Sequence, residues 1–495
     1  MINKYPKLGK YILDSLSIGM YNHPLMLLRE YVQNCTDAID QAIKSGELEK
    51  SESKIEISIN GGNNSLSISD NGTGIFLDKA WNILHDIGKS EKKLSENRGF
   101  RGIGRLGGLG YCKILRFITK KRYENKYSIS TWHCQRLRQL IKDENQLDIF
   151  QIIKEITDFK QADYHGSSID HFFIVEMLDL QGSRDLLLNV PAIKSYLSEV
   201  APVPFNRNKF SYADKIDKEI RAKVPQYETY KIIVNGEQIF KPYENAVLLR
   251  GDTRDRINDI DFVELKNSIN TVAFGWLANL KLLGSVSRTC LVDGIRIRNG
   301  NIQIGNNDLL CDFFREKRFN SYLVGELYTI DQRLIPNSRR DDFEDNEQRE
   351  EFYDSFIRNI GLPYSKKIRL LSIERSKQRI INKENHIIEK ANFILNNGYL
   401  SDLHRDKVVK ELASLKNNNN GISEEYLNRI IATIHKSKHY LDQISCRINR
   451  KEKERLRSLF EIIYKECKDK NEAEKIILKI LKNALKNINS IRFSM

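Results

Sequence analysis

Apolar residues in the first third of the chain recur with two different periods. In residues 22–46 they return at steps of three and four, which predicts a helix that ends at Gly46. Residues 54–60 and 65–70 alternate apolar and polar positions around GGNN, which predicts a β-hairpin. Further strand-like runs follow at 113–119, 125–132 and 168–176. This mixture predicts an α+β domain.

The pattern changes twice more along the chain. Residues 190–355 form a second mixed region, with strands predicted at 230–236, 271–278 and 321–330. From residue 363 strand signals stop, and an apolar stripe with helical spacing takes over. NNNNG at 417–421 predicts a turn between helices. A coiled coil and a helical hairpin both remain open for this third region.

Length and pattern together predict three domains. A chain of 495 residues suits two to four domains of ordinary size. We place them at 1–185, 186–360 and 361–495: two α/β domains followed by an all-helical region.

The net charge is distributed unevenly. The chain has 80 Lys and Arg against 66 Asp and Glu, a formal charge of +14. Residues 361–495 hold 29 of the basic and 16 of the acidic residues, so the first 360 residues are nearly neutral. This excludes a uniformly basic, histone-like protein. The basic region has three open interpretations: a solvated helical surface, a nucleic-acid contact, or a bundle that dimerises or binds a partner.

Cysteine spacing and hydropathy restrict the cellular setting. The seven cysteines are scattered without a CxxC pair, which argues against a disulfide framework and a zinc ribbon. No apolar window is long enough for a membrane span, and the N-terminus has no signal-peptide pattern. We therefore expect a reduced, cytoplasmic protein without membrane contact.

The first candidate site lies on the predicted helix. Glu30, Asn34 and Asp37 occupy positions i, i+4 and i+7 and share one helix face. A solvated polar stripe is the simplest interpretation. Apolar residues occupy most of the remaining circumference, however, and buried polar groups need partners. A carboxylate and an amide facing one cavity would hold a water molecule and a metal ion.

Two glycine-containing segments follow. DNGTGI places Asp70, Gly72 and Gly74 after a strand, which suits a type I′ turn or an acid that accepts a base amino group. RGFRGIGRLGGLG has six glycines interleaved with arginines and predicts a mobile loop over 88–111. Its backbone amides would cradle phosphates. The segment is neither a Walker A motif nor a dinucleotide-binding fingerprint.

Four segments in this order resemble the GHKL ATPase superfamily, which includes gyrase, MutL, MORC proteins, histidine kinases and the ninety-kilodalton heat-shock chaperones. LREYVQNCTDAID, DNGTGI and GFRGIG are similar to the first three chaperone motifs. HGSSIDHFFI at 165–174 resembles the fourth, with Ser167 where a threonine is usual. The chaperones are the nearest group, and MORC and MutL are next.

The resemblance implies a Bergerat-type α/β sandwich that binds ATP and Mg²⁺. Glu30 would be the general base, Asn34 the magnesium ligand and Asp70 the partner of the adenine amino group. Loop 88–110 would be an ATP lid. The remaining nucleotide-binding positions implied by the motifs are Asp37, Gly72, Gly74, Arg101, Gly102, Ile103, Gly104 and Ser167.

The resemblance continues into the second region. GELYTIDQRLIPNSRRDDFED at 325–345 resembles the chaperone segment that supplies an arginine to the γ-phosphate. Matching places Arg340 there, with Arg339 as its neighbour. A surface acid–base cluster is the alternative, because four acidic residues follow. With an arginine in that role, the second region would be a transducer domain.

The family resemblance implies an Mg²⁺-dependent ATPase that works as a homodimeric clamp. A chaperone-like clamp would act on a protein client. A MORC- or MutL-like clamp would act on DNA, in compaction, repair or anti-phage defence, through residues 361–495. The alternative is a scaffold that binds ATP to recruit an effector protein without needing turnover.

Overall fold

The structure of the protein is a computed structural model, and it describes residues 10, 13, 23–88, 104–143, 148–267, 269–415, 423–443 and 449–484. The chain divides into two compact units between Arg369 and Leu370. The first unit contains both regions predicted to be mixed, and the second contains the region predicted to be helical.

An eight-stranded sheet organises the first part of the chain. Its strands are β1 (Ile55–Asn60), β2 (Ser65–Asp70), β3 (Cys112–Lys120), β4 (Lys126–His133), β5 (Thr157–Asp163), β6 (Phe172–Leu180), β7 (Ile232–Val234) and β8 (Glu237–Gln238). The order is β5-β4-β3-β6-β2-β1-β7-β8. All neighbours are antiparallel except β1 and β7. The predicted hairpin is β1–β2, with Ile55 opposite Asp70.

The α-helices in the described residues before β7 are α1 (Met26–Lys44), α2 (Leu77–His85), α3 (Cys134–Lys142), α4 (Ile149–Ile156), α5 (Arg184–Leu187), α6 (Val190–Val200) and α7 (Ala213–Lys223). The predicted first helix is α1. Its apolar stripe, including Leu28, Val32 and Ile39, packs in one core with Ile57 of β1 and Leu115 of β3. A helix layer on a largely antiparallel sheet confirms the predicted α+β class.

A second sheet follows. It has five strands in the order β11-β12-β15-β13-β14, beside a two-stranded β9–β10 pair. These strands are β9 (Ala246–Leu248), β10 (Arg254–Arg256), β11 (Asp259–Lys266), β12 (Thr271–Asn279), β13 (Gly294–Asn299), β14 (Ile302–Ile304) and β15 (Val324–Thr329). Helix α8 (Glu347–Phe356) comes next. Strands β7 and β8, although later in sequence than α6 and α7, extend the first sheet. The first sheet therefore contains strands from both of the regions predicted to be mixed.

The described residues of the second unit are helical, as predicted. Helix α9 (Leu362–Asn397) enters this unit, and α10 (Asp402–Leu415), α11 (Glu424–Lys436), α12 (Tyr440–Gln443), α13 (Arg450–Glu466) and α14 (Lys470–Ala484) follow. Two apolar clusters hold them together, one around Val408 and Leu427 and the other around Phe460 and Ile477. The predicted NNNNG turn lies outside the described residues. No helix in the described ranges has the length and apolarity needed to cross a bilayer.

A fully buried charge network ties the second sheet together. Lys241 Nζ donates to Glu326 Oε2 at 2.6 Å and to Asn301 Oδ1 at 3.0 Å. Arg298 Nε donates to the other oxygen of Glu326. Burial opposes the charge on Glu326, but Arg298 and Lys241 outweigh burial and lower the pKa of this carboxyl to about 2. Arg298 also donates to the carbonyl of Glu199 at 2.7 Å and thereby connects α6 to the network.

We predict that Glu326→Gln destabilises the protein more than Lys241→Met. Removing Glu326 leaves two buried cations without their counter-ion, a loss of about 3–5 kcal/mol. Removing Lys241 leaves Arg298 and Glu326 as a matched pair, so the loss is smaller. Denaturant unfolding followed by circular dichroism measures both variants. A greater loss for Lys241→Met would contradict the central position of Glu326.

Candidate functional site

One face of α1 carries the first set of candidate residues. Glu30 and Asn34 are mostly buried and Asp37 is buried. The opposite side of the helix is fixed in the core by Leu28, Val32 and Ile39. Because the apolar stripe sets the rotation of the helix, the three polar side chains share the remaining face.

The DNGTGI turn is pressed between α1 and β3. Asp70 ends β2 with 4% of its surface exposed, and its Oδ1 accepts from the Gly72 amide at 2.8 Å. A Cβ at Gly72 would lie 2.6 Å from the backbone of Ala38. Gly74 has φ +64°, and a Cβ there would lie 2.0 Å from the Lys120 carbonyl oxygen. Both glycines are therefore required by close backbone contacts.

Part of the glycine-rich segment closes over Glu30. Residues Gly104–Gly110 form a 3₁₀ helix, not the predicted loop, because Leu106 and Leu109 are buried in the core. The Gly108 amide donates to the Tyr31 hydroxyl at 2.9 Å. A Cβ at Gly104 would lie 3.1 Å from Glu30 Oε2. Arg101, Gly102 and Ile103, and the lid segment 89–103 to which they belong, lie outside the described residues.

The structure places Ser167, the candidate of the fourth motif, before strand β6. Strand β6 begins at Phe172, four residues later than predicted, and Phe173 is the residue opposite Asp70. Ser167 lies in the exposed turn before this strand, where its amide donates to Asp170. His171 is nearer the site, because its Nδ1 lies 2.6 Å from the Gly72 carbonyl oxygen.

Arg340 reaches Glu30 from the second mixed region. Its Nε lies 2.9 Å from Glu30 Oε1, and the two side chains are 12% and 13% exposed. Arg339, by contrast, is exposed. Arg340 has φ +54°, in the left-handed region that is costly for a residue with a Cβ. The Gly305 amide donates to its carbonyl at 2.8 Å and helps to hold this conformation.

Arg29 is a residue of the candidate site that the sequence patterns did not indicate. Its side chain is only 3% exposed and donates to two successive carbonyls, those of Arg339 at 2.9 Å and Arg340 at 3.3 Å. It thus fixes the backbone of the loop that presents Arg340. Its place directly before Glu30 was the available signal, but an arginine on a helix is usually solvated.

Gln33 and Thr119 were also missed. Gln33 is 1% exposed, and neither of its amide atoms has a hydrogen-bond partner in the described part of the chain. Thr119 of β3 accepts from the Ile75 amide at 2.9 Å and so anchors the DNGTGI turn to the sheet. Neither residue belongs to a pattern that distinguishes a site residue from an ordinary helix or strand position.

The donor set at this site suits a hard cation held by oxygen atoms. The described residues contain no cluster of three His, Cys, Asp or Glu side chains that would hold a metal by themselves. Asn34 supplies one amide oxygen, and Mg²⁺ commonly takes few protein ligands and completes its shell with phosphate and water. The residues present therefore fit a magnesium ion that arrives with a nucleotide.

Comparison with known proteins identifies the family of the domain that carries these residues. Residues 24–163 match the family described as histidine kinase-, DNA gyrase B-, and HSP90-like ATPase. Residues 24–163 therefore form a GHKL-type ATPase domain, as the motifs predicted.

Several similar proteins are named Chaperone protein HtpG. The one from Buchnera aphidicola subsp. Baizongia pistaciae is 32% identical over 130 residues, which are 23% of this chain and 21% of that protein. The one from Campylobacter jejuni strain 81-176 is 29% identical over 133 residues, 23% and 22% of the two chains. The one from Legionella pneumophila strain Lens is 33% identical over 104 residues, 19% and 17%. Each match covers less than a quarter of the relative's length.

We predict that Gly74→Ala destabilises the protein far more than Gly46→Ala. Both glycines have positive φ, +64° and +73°, so both substitutions strain the backbone by about 1–2 kcal/mol. At Gly46 nothing lies within 4 Å of the new Cβ, whereas at Gly74 it meets the Lys120 carbonyl. Comparing the thermal unfolding of the two variants separates the cost of the Lys120 contact from the cost of backbone strain. Equal losses would show that Lys120 does not constrain the turn.

Proposed function

We propose that the protein hydrolyses ATP to ADP and phosphate, with Glu30 as general base. In this mechanism Glu30 orients a water molecule and accepts its proton as the water oxygen bonds to the γ-phosphorus. The bond from that phosphorus to the β–γ bridging oxygen breaks, and ADP leaves with the electron pair. Positioning and charge neutralisation supply most of the catalysis in such reactions.

The other site residues bind and orient the nucleotide. Asp70 accepts from the adenine amino group, while Gly72 and Gly74 let the backbone approach the base. Backbone amides of residues 102–104 would hold the phosphates, and Arg101 would add positive charge for them. Asn34 is the ligand of a magnesium ion that would neutralise phosphate charge, and Asp37 supports the same face of α1. Ser167 keeps only a peripheral role, because it lies outside the strand that pairs with Asp70.

The contact between Arg340 and Glu30 carries this proposal. It joins the proposed base to an arginine more than 300 residues away, with their side-chain atoms 2.9 Å apart. An arginine in this place can exchange the carboxylate for the γ-phosphate and stabilise transition-state charge. Because Arg340 belongs to the second mixed region, this exchange would couple hydrolysis to movement of a transducer.

Assembly and client belong to the same proposal. We infer a cytoplasmic homodimeric clamp that closes its lid over ATP and reopens after hydrolysis. The name of the HtpG relatives favours a protein client, and the basic residues 361–495 favour DNA, with anti-phage defence as one setting for such a clamp.

A nucleotide-gated scaffold is the second candidate. The observation that favours it is again the Arg340–Glu30 ion pair, because Glu30 Oε1 is in contact with Arg340 Nε and is not available to orient a water molecule. If that pair persists with ATP bound, the protein would bind the nucleotide to recruit an effector without turnover. Comparing ATP binding with hydrolysis separates the two candidates.

We predict that Glu30→Ala binds ATP but loses about 10²–10⁴-fold in hydrolysis rate, the usual contribution of a general base. Glu49→Ala is the matched control, because Glu49 is an exposed glutamate beyond the end of α1. Phosphate release and binding of a fluorescent ATP analogue are measured on both variants. Hydrolysis by Glu30→Ala at the wild-type rate would refute the mechanism, and a wild-type protein that binds without turnover would favour the scaffold.

We predict that Arg340→Ala and Arg339→Ala differ sharply. Arginines that stabilise phosphoryl-transfer transition states contribute about 10³–10⁵ to kcat. We expect a loss of that order for Arg340→Ala and a change of a few-fold for Arg339→Ala. Arg339 is exposed, and the contact it makes with Arg29 uses its carbonyl, which alanine retains. Similar kcat losses in both variants would contradict the assignment of Arg340.

A further inference from the structure

A buried glutamine of α1 has neither of its side-chain polar atoms satisfied. Gln33 is 1% exposed, and its Oε1 and Nε2 have no hydrogen-bond partner in the described part of the chain. Its backbone carbonyl, by contrast, accepts from Thr36 Oγ1 at 2.8 Å. Removing an amide from water without replacing its hydrogen bonds is unfavourable, so buried amides nearly always have partners. An exception of this kind indicates a group that binds at this place.

Helical spacing puts Gln33 beside the proposed base. It follows Arg29 at i+4 and Glu30 at i+3 within α1, and residues at these spacings are neighbours with Cβ atoms about 5–6 Å apart. Side chains of a helix lean toward its N-terminus, so each covers the turn before its own Cα. The amide of Gln33 therefore extends toward the side chains of Arg29 and Glu30, on the polar face of the helix.

These two neighbours are directed to other partners. Arg29 donates to the carbonyls of Arg339 and Arg340. Glu30 Oε1 lies 2.9 Å from Arg340 Nε. Neither side chain bonds Gln33, so its amide can bind a further group next to the base.

Little bulk solvent reaches this side of the site. Tyr196 of α6 lies close enough to Arg29 and Glu30 for both charges to act on its hydroxyl. Burial is the main cause that raises the pKa of this hydroxyl to about 12. Water in such a place is held singly by polar groups that lack other partners, and it commonly makes about three hydrogen bonds.

The chemistry of an amide suits a water molecule here better than a phosphate or a cation. A phosphate oxygen would use the N–H groups and leave Oε1 unsatisfied, and a cation would use Oε1 alone. A water molecule accepts from Nε2–H and donates one O–H to Oε1. Its second O–H then points to Glu30, and one lone pair on its oxygen is left for the γ-phosphorus.

We propose that the amide of Gln33 holds the water molecule from which Glu30 accepts the proton during ATP hydrolysis. This inference deepens the proposed function and rests on it. Because Gln33 bonds the water and not the nucleotide, it contributes to kcat and leaves the affinity for ATP unchanged.

The test compares Gln33→Met with Gln41→Met in the full chain. Methionine matches glutamine in length and in helix propensity, so it fills the same space without the polar atoms. Gln41 is an exposed glutamine of the same helix and serves as the matched control. The affinity for ATP, single-turnover hydrolysis at saturating ATP and the Tm are measured for both variants.

We expect Gln33→Met to hydrolyse ATP about 10²-fold more slowly, the order of loss that follows when a reacting group is misplaced by about 1 Å. Its affinity for ATP should equal that of the wild type. Its Tm should be equal or higher, because two unsatisfied polar atoms leave the interior. Gln41→Met should match the wild type in all three measurements.

Three results would overturn the role of Gln33. The first is hydrolysis by Gln33→Met at the wild-type rate. The second is weaker ATP binding with kcat retained, which would place the amide on the nucleotide. The third is a lower Tm with parallel losses of affinity and rate, which would show that the side chain only supports the packing of α1.

Glu30→Ala separates this inference from the proposed function. If Glu30→Ala hydrolyses ATP at the wild-type rate, the general-base mechanism fails, whatever Gln33→Met does. If Glu30→Ala is inactive and Gln33→Met is fully active, only the role of Gln33 fails. When both changes are combined, the losses should not multiply, because the two residues act on the same water molecule. Fully multiplied losses would contradict this shared action.

Discussion

The ion pair between Glu30 and Arg340 is the contact on which the arrangement of the candidate site depends. Its two side chains are nearly nine-tenths buried, so neither can lose its partner cheaply. One partner belongs to the first helix of the GHKL-type domain and the other to a loop after the second sheet. An interaction of this kind makes the surroundings of the Glu30 carboxylate depend on the position of the second region.

Other hydrogen bonds fix the geometry of this ion pair. Arg29 holds the carbonyls of Arg339 and Arg340, and Gly305 holds that of Arg340 from the other side. These bonds offset the cost of a left-handed conformation at Arg340, a local strain of the sort concentrated at functional sites. The shared first sheet, completed by β7, further restricts how the two regions can move. The backbone of Arg340 is thus held in place, and movement of this residue is left to its side chain.

Local periodicity predicted α1, the β1–β2 hairpin and the face that carries Glu30, because each depends on side chains close in sequence. What depends on long-range packing was not predictable. Glycine content alone suggested a loop at residues 104–110. The segment is a helix because Leu106 and Leu109 are buried in the core. Likewise β7 joins the first sheet by pairing with β1, although the paired residues, such as Ile55 and Ile232, are 177 positions apart in sequence. Arg29 and Gln33 look like solvated helix residues until their burial is known.

The same ion pair also constrains the order of events in any hydrolytic cycle. Glu30 Oε1 lies 2.9 Å from Arg340 Nε, so this oxygen is not available to orient a water molecule while the contact lasts. Phosphate oxygens of a bound nucleotide carry more charge and can bond arginine through two parallel hydrogen bonds. Transfer of Arg340 from Glu30 to the phosphates would therefore supply charge stabilisation and release the base in one movement. Such coupling would make premature proton abstraction unfavourable before the second region has engaged the nucleotide, which is how a clamp would tie turnover to closure.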